Sequence, residues 1–267
     1  MNLRITTWNI NSVRLRIDHV ARFVKETQPD VLCLQEIKVD DPLFPAQAFH
    51  DIGYEHHAVA GQKGYHGVAT LSRIPIDSWT RHHWADKEEA RHVATTLQGG
   101  IDVHNFYIPA GGDIADAEKN EKFAHKMQFL DEISAWFRDE QDPTRPAILV
   151  GDLNIAPSEH DVWSHKQLLK VVSHTPIEVE KLAVLQESLN WVDAVRHLVP
   201  EPEKLFSRWS YRSKDWRVNN RGRRLDHVWV TPPLQDHLKS MKISDDTRDW
   251  EKPSDHAPIT VDIALPG

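Results

Sequence analysis

Ala147-Ile148-Leu149-Val150-Gly151-Asp152-Leu153-Asn154 is the stretch whose reading decides the fold. Pro146 opens it, four apolar residues follow, and Gly151 interrupts the run before a carboxylate and an amide two residues apart. A short apolar run bounded by turn residues predicts a strand buried on both faces. Side chains two apart on extended backbone share a face, so Asp152 and Asn154 can point the same way. A carboxylate there can orient or deprotonate a water, and an amide can contact a phosphate. The same residues would equally make an Asx-type turn that satisfies only local backbone.

Outward from this strand the chain alternates short strand signals with a few helical ones. Leu3, Ile5 and Thr7 alternate with Arg4, Thr6 and Trp8, a period of two that runs to Asn9. Residues 31–35 predict another buried strand, ending before Glu36. Residues 67–72, 92–98 and 101–107 predict three more, with Gly99-Gly100 as a hairpin turn between the last two. Residues 225–231 and 258–264 complete the set. Ile17, Val20 and Val24 predict a helix within 16–27, stopped by Pro29. Phe123, Met127, Leu130, Ile133 and Phe137 make one apolar helical face within 115–140, and a further helix is expected over roughly 179–198. Ser158 with Asp161 suggests an N-cap. Many hairpin-joined strands with few helices favour an α+β layered sandwich over a parallel dinucleotide-binding sheet. Asn9, Glu36, Tyr107, Asp152 and Asn154 each close a strand signal, where side chains can converge on one rim.

Composition sets bounds on the whole. The 267 residues, 40% hydrophobic and 27% charged, can bury a core without disulfides and read as one domain spanning 1–267. The single cysteine, Cys33, lies in an apolar run and reads as a buried thiol; it excludes a disulfide-stapled scaffold. No apolar run approaches the ~20 residues that span a bilayer, and residues 1–5 lack signal-peptide features. An intracellular protein without a membrane partner is the expectation. The net charge of −8 argues against non-specific coating of nucleic acid, although one basic surface suffices for an enzyme. Such a surface is suggested by Arg208, Arg212, Lys214, Arg217, Arg221, Arg223 and Arg224, set against the single acid Asp215 with Trp209, Tyr211 and Trp216 interleaved. Guanidinium groups bind phosphates in pairs of hydrogen bonds and aromatic faces stack on bases. The alternative is a solvated basic loop with buried tryptophans.

Phosphodiester hydrolysis needs an activated water, neutralised charge on phosphorus, and help for the departing oxygen. A hard cation such as Mg²⁺ neutralises charge and takes oxygen ligands, usually one or two carboxylates. Glu36 is a candidate, or else a surface glutamate that starts the loop to Lys38. Ser254-Asp255-His256-Ala257-Pro258 sets an acid beside an imidazole before a strand. Chain neighbours need not face each other, so Asp226 could instead orient His256 across adjacent strands. A carboxylate partner would raise the imidazole pKa and favour a cation that contacts phosphate.

These motifs together resemble the exonuclease III family, the abasic-site endonucleases of the exonuclease–endonuclease–phosphatase superfamily. The resemblance runs through Trp8-Asn9-Ile10-Asn11, Leu34-Gln35-Glu36-Ile37-Lys38, Gly61-Gln62-Lys63-Gly64, Tyr107-Ile108-Pro109, Gly151-Asp152-Leu153-Asn154, Tyr211-Arg212-Ser213, Arg221-Gly222-Arg223-Arg224-Leu225-Asp226 and Ser254-Asp255-His256. It implies a four-layer αββα sandwich of two packed mixed sheets flanked by helices, with the site at one rim. It implies Glu36 as principal ligand of Mg²⁺ (or Mn²⁺), with Asn9 and Asp255 close by and Asp152, Asn154 and His256 bordering a second ion if two are bound. Asp152 would activate the water, Asn154 and His256 hold the phosphate, Asp226 orient His256, and Tyr107 contact the phosphate or assist the leaving oxygen. Arg208, Trp209, Arg212 and Arg221 would contact DNA. The implied activity is incision 5′ to abasic sites in duplex DNA, with 3′-to-5′ trimming of ends, by a cytoplasmic, monomeric enzyme that acts at the nucleoid and has no obligate protein partner.

Two stretches depart from the family pattern. Ala110-Gly111-Gly112-Asp113 follows Tyr107-Ile108-Pro109, where the family carries an amide residue and then glycine. Arg208 stands where the family has an aromatic in a pair followed by an acid. Trp209 remains available to line a pocket for a flipped abasic sugar. Two other readings compete: a superfamily phosphodiesterase acting on RNA, lipid or inositol phosphates, and a non-catalytic DNA-binding module. The aromatic-basic stretch favours DNA over the first. Acids at a phosphate site oppose binding unless a metal is present, which disfavours the second.

Overall fold

The computed structural model describes residues 2–212 and 215–265; Ser213 and Lys214 of the basic stretch lie outside them. In chain order its strands are β1 (Asn2–Asn9), β2 (Val31–Gln35), β3 (His56–Ala60), β4 (Val68–Ser72), β5 (Ile76–Trp84), β6 (Lys87–Leu97) and β7 (Ile101–Tyr107). There follow β8 (Ala147–Asp152), β9 (Val192–Asp193), β10 (Arg208–Trp209), β11 (Gly222–Arg223), β12 (Asp226–Val230), β13 (Leu238–Ile243) and β14 (Ile259–Ala264). One six-stranded sheet is ordered β13-β14-β1-β2-β4-β3, the other β5-β6-β7-β8-β12-β9, and β10-β11 form a separate pair. Both large sheets are mixed: β1 runs parallel to β2 and antiparallel to β14, while β7 runs parallel to β8 and β8 antiparallel to β12.

The period of two explains the layering. Ile148 and Val150 of β8 join Leu3, Ile5, Val103, Val228, Val230 and Val261 in the core between the sheets. Leu149, between them in sequence, faces outward with Phe106 and Trp229 and is covered by the helices Glu121–Glu140 and Pro176–Glu187. On the other side Trp8, Leu32, Leu34 and Leu71 are covered by the helix Ile17–Thr27 through Val20, Phe23 and Val24. The four layers of the αββα sandwich follow from strands that are apolar on both faces. Cys33 is fully buried in the inter-sheet core, and burial pushes its thiol up to about 12, which leaves it chemically inert.

The long helix lies within 115–140 as expected, and its start at Glu121 is set by Asn120, which accepts from the Lys122 N–H at 3.1 Å. Other expectations need correction. The expected helix over 179–198 is two helices, Pro176–Glu187 and Ala194–Leu198, separated by left-handed Asn190 and by β9. Its true start carried a signal in Thr175-Pro176 and Glu178, a capping box with proline in the first turn. Strands β3, β5 and β13 lie outside the expected set. All three lie at sheet edges, where one face stays in solvent and no apolar run is required.

Gly151 is the residue that lets β8 sit between its neighbours. Its φ is 142°, and a Cβ there would lie 1.9 Å from the Phe106 carbonyl oxygen on β7. Gly151→Ala should therefore cost about 3 kcal/mol or more in urea unfolding, since neither backbone nor neighbour can yield without breaking strand pairing. A loss under about 1 kcal/mol would show that β7 and β8 can part without penalty.

Candidate active site

The carboxyl ends of β1, β2, β7 and β8 meet the start of β12 and the turn before β14 at one rim. Glu36 follows β2 with φ of 50°, and Asn154 follows β8 with φ of 55°. Left-handed backbone at two non-glycine residues is strain of the kind that concentrates at working sites. Asn9, at the end of β1, donates from one amide nitrogen to Glu36 Oε1 and to Asp152 Oδ2, both at 2.9 Å. The hydroxyl of Tyr107 donates to Glu36 Oε1 at 2.8 Å. Lys38 pairs with Glu36 Oε2 at 2.7 Å and donates to Asn11 Oδ1 at 2.6 Å.

Asp152 plays both parts open to it in the sequence. Its Oδ1 accepts from the Asn154 N–H at 3.0 Å, an Asx turn, while Oδ2 faces Asn9 and lies 3.7 Å from His256 Nε2. Asn154 gives its Nδ2 to the Ile108 carbonyl at 2.9 Å, so its oxygen is the group left for a ligand. The Asn154 carbonyl is held from behind by Lys126 at 2.9 Å, and Lys126 is paired with Glu178 in a fully buried bridge.

His256 Nδ1 lies 2.8 Å from Asp226 Oδ2, which also accepts from Ser207 Oγ at 2.6 Å. This pair crosses from one sheet to the other, because Asp226 opens β12 and His256 precedes β14; it does not join adjacent strands as expected. Asp255 does not pair with its chain neighbour but accepts from Asn11 Nδ2 at 3.2 Å and from Arg208 Nε at 3.1 Å, and Asn11 in turn accepts from the Lys38 that pairs with Glu36.

Burial is the largest influence on Asp152, His256, Glu36 and Tyr107. It pushes the Asp152 carboxyl up to about 7, with Asp226 and Glu36 pushing the same way against His256 and the Asn9 hydrogen bond. Burial also works against a charged His256, yet Asp226 and Asp152 outweigh it and carry the imidazole up to about 10. Burial raises Glu36, but Lys38 and the Asn9 hydrogen bond more than offset it and hold the carboxyl below its usual range. Tyr107 is driven well above its ordinary value by burial and by the carboxylates of Glu36 and Asp152, so its hydroxyl keeps its proton.

The donor set fits a hard divalent cation. Carboxylate oxygens of Asp152 and Asp226 lie within 4.8 Å of each other and of a His256 ring nitrogen, and the Asn9 amide links Asp152 to the further carboxylate of Glu36. The buried Oδ1 of Asp226 has no hydrogen-bond partner among the described residues. Clustered carboxylates in a buried rim repel one another until a cation joins them. Hard oxygen donors of this kind suit Mg²⁺ or Mn²⁺.

The basic stretch divides by role. Arg224 is fully buried between Asp161 and Asp193 and ties loops together. Arg217 pairs with Asp249. The run therefore meets acids from elsewhere in the chain, which its local sequence hides. Arg212 and Arg221 are exposed, the latter 4.7 Å from the Trp163 ring centre. Arg208 lies beside the site through Asp255, whereas Trp209 is only 4% exposed, packed among Phe206, Trp216 and Ala257. Its ring borders a cleft of about 410 Å³, lined also by Leu205, Asn220 and Ile243, that contains none of the rim carboxylates. Asn11, Lys38, Lys126 and Ser207 act at the site without having been assigned a role from sequence. Asn11 repeats the two-residue spacing of Asn9 and could have been found so; Ser207 carried no local signal.

Residues 6–256 match the Endonuclease/Exonuclease/phosphatase family. The chain is 34% identical to exodeoxyribonuclease III of Haemophilus influenzae over 96% of its own length and 98% of the relative's. Among solved structures, an AP endonuclease from Archaeoglobus fulgidus superimposes with a TM-score of 0.92 at 33% identity, covering 98% of this chain and 100% of that one. A 3′ phosphatase, NExo, from Neisseria, solved bound to a product DNA hairpin, gives 0.91 at 32% identity with the same coverage.

A charged His256 makes stability depend on pH in a definite sense. In the folded protein the imidazole keeps its proton up to about 10, against 6.5 for an unperturbed histidine. Its contribution is complete below the lower value and fades as pH rises through the higher one. Thermal melts of the metal-free protein and His256→Gln, from about pH 6 to about 10, should show the wild-type lead falling as pH rises. A lead that is constant or grows with pH would rule out the charged pair.

Proposed function

Because the chain belongs to the endonuclease/exonuclease/phosphatase family, we propose that it is a Mg²⁺-dependent DNA phosphodiesterase of base-excision repair, incising 5′ to abasic sites and trimming 3′ ends. The observation that carries the reading is the meeting of Asn9, Glu36, Tyr107, Asp152, Asp226 and His256 at one rim, joined by hydrogen bonds between the two sheets. A site built from both sheets also supports reading 1–267 as a single domain.

Glu36, with Asn9 and Asp255, would hold Mg²⁺, and Asp152, Asn154 and His256 would border a second ion. Bound there, the ion neutralises negative charge on the phosphate oxygens. Asp152, its carboxyl pushed up by burial and Oδ2 facing Asn9 and His256, is placed to take the proton of the attacking water. His256, kept cationic by Asp226, presents Nε2 to the phosphate. The Tyr107 hydroxyl keeps its proton and stands close enough to Glu36 to assist the departing oxygen. Arg212 and Arg221, exposed on the basic stretch, would meet DNA phosphates outside the reacting one. No helix among the described residues is long and apolar enough to cross a membrane, and we take duplex DNA in the cytoplasm as the substrate of a monomer.

Purified protein should nick duplex DNA carrying an abasic analogue when Mg²⁺ is supplied, and EDTA should stop it. An uncut duplex alongside hydrolysis of a phosphoinositide or sphingomyelin would replace the DNA reading with the lipid one. Asp152→Asn should lower kcat by about 10²- to 10⁴-fold while duplex binding, read by fluorescence anisotropy, stays close to wild type. Near-normal turnover in that variant would remove Asp152 from the role of base.

A further inference from the structure

The main chain of β10 runs beside the catalytic rim. Arg208 bridges to His256, the Trp209 N–H donates to the Asp255 carbonyl at 2.9 Å, and the Ala257 N–H donates to the Ser207 carbonyl at 2.7 Å. Successive residues alternate faces, so Trp209 turns into its own packed cluster while Arg208 turns to the rim and meets Asp255. Among the described arginines of the basic stretch, only Arg208 pairs with a rim carboxylate. Arg217 and Arg224 are taken up by Asp249, Asp161 and Asp193 elsewhere.

The backbone of Arg208 is held there, but its side chain is held weakly. The guanidinium touches Asp255 Oδ2 through Nε alone, at 3.1 Å, and no hydrogen bond within the described residues engages Nη1 or Nη2. A guanidinium that grips a carboxylate firmly uses two parallel hydrogen bonds, and the Arg208 side chain is 29% exposed. Asp255 is also one of the carboxylates assigned above to Mg²⁺. A divalent ion brings twice the charge to that carboxylate and repels a guanidinium beside it. Arg208 and the ion therefore compete for one partner. Lys38 stands in the same relation to Glu36, but it also donates to Asn11 Oδ1 at 2.6 Å and so has a second acceptor within the protein. Arg208 has no second side-chain acceptor among the described residues, and the anion it meets on leaving Asp255 comes from outside the chain.

We propose that Arg208 exchanges Asp255 for a DNA phosphate when Mg²⁺ binds, and so couples the binding of metal to the binding of substrate. The proposal rests on the reading of the rim as a Mg²⁺-dependent DNA site and adds a link between its two ligands. Nη1 and Nη2 form a planar fork that fits two oxygens of one phosphate. With the ion alone, the freed guanidinium lacks an anion; with DNA alone, Asp255 keeps the guanidinium from the phosphate. Bound together, the ion satisfies Asp255 and the phosphate satisfies Arg208. Each ligand then strengthens the other by the same factor, as linkage requires. An aromatic residue at this position has no charge to exchange, which makes the coupling a property of Arg208.

The test is a cycle of binding measurements, by fluorescence anisotropy at constant ionic strength, on a duplex carrying an abasic analogue. Each protein is titrated in EDTA and in Ca²⁺, a hard oxygen-seeking cation, with the duplex shown intact by electrophoresis. Wild type should bind about tenfold more tightly with the ion. Arg208→Gln should bind within about twofold in the two conditions. Arg212→Gln, exposed on the same stretch, should lose affinity equally in both. Without DNA, Mn²⁺ titration followed by electron paramagnetic resonance should show Arg208→Gln holding the ion about tenfold more tightly than wild type. Asp255→Asn frees Arg208 from the other side and keeps the test decisive if the first variant does not fold. In EDTA it should raise duplex affinity about fivefold more in the wild-type background than in Arg208→Gln. An ion-induced gain that persists in Arg208→Gln, or equal effects of Asp255→Asn in the two backgrounds, would overturn the proposal. Failure of the wild type to bind the duplex in either condition would instead overturn the DNA reading beneath it.

Discussion

One amide nitrogen joins the two halves of the molecule where the chemistry lies. Asn9 Nδ2 donates to Glu36, on its own sheet, and to Asp152, on the facing sheet. Both acceptors are buried or nearly so, and an unpaired carboxylate there would be costly. The two sheets must therefore pack in the one register that brings β1 and β8 ends together. The rest of the rim depends on that register: Tyr107 reaches Glu36 from the second sheet, and His256 reaches Asp226 from the first. Each sheet supplies an acid whose partner is on the other, so the packing of apolar layers and the placing of polar groups specify the same arrangement.

Behind the rim stands a second, wholly buried layer of charge. Lys126 lies between Glu178 and the carbonyl of Asn154. Glu178 also accepts from the backbone of Ser173 and Thr175, which makes it both a helix cap and an anchor. Desolvation lowers the Lys126 pKa, and Glu178 counteracts it. Such pairs contribute little net stability but enforce one geometry when every donor is satisfied. Here the geometry enforced is the left-handed turn at Asn154. Local strain at the reacting rim is thus held by long-range contacts from the helical layer.

Central strands and most of the rim were legible from sequence because each obeys a local rule. β2 and β8 are near-continuous apolar runs, β1 and β7 open with apolar residues at alternate positions, and a polar residue at the rim end of each run, like Asp226 at the start of β12, announces the site. Edge strands β3, β5 and β13 obey no such rule, since solvent relieves them of the need for an apolar pattern. The pairing of His256 with Asp226, and not with its chain neighbour Asp255, was also legible, but the sheets it would bridge were not. Partners of the basic stretch were hidden for the same reason: Asp161, Asp193 and Asp249 are distant in sequence and meet their arginines only in the folded chain. The inward turn of Trp209 follows from pleat alternation in a two-residue strand, too short to show a period.

The ladder that joins β1 to β14 has a consequence for how the protein is made. Asn2 pairs with Ala264 and Thr7 with Ile259, so β1 waits for a strand about 250 residues further along the chain. His256, which completes the rim, lies just ahead of that final strand. A nascent chain can form local helices and hairpins but holds no assembled rim until the segment from His256 through β14 has been made. A chain stopped before His256 lacks the strand that joins β13 to β1 and the imidazole that pairs with Asp226.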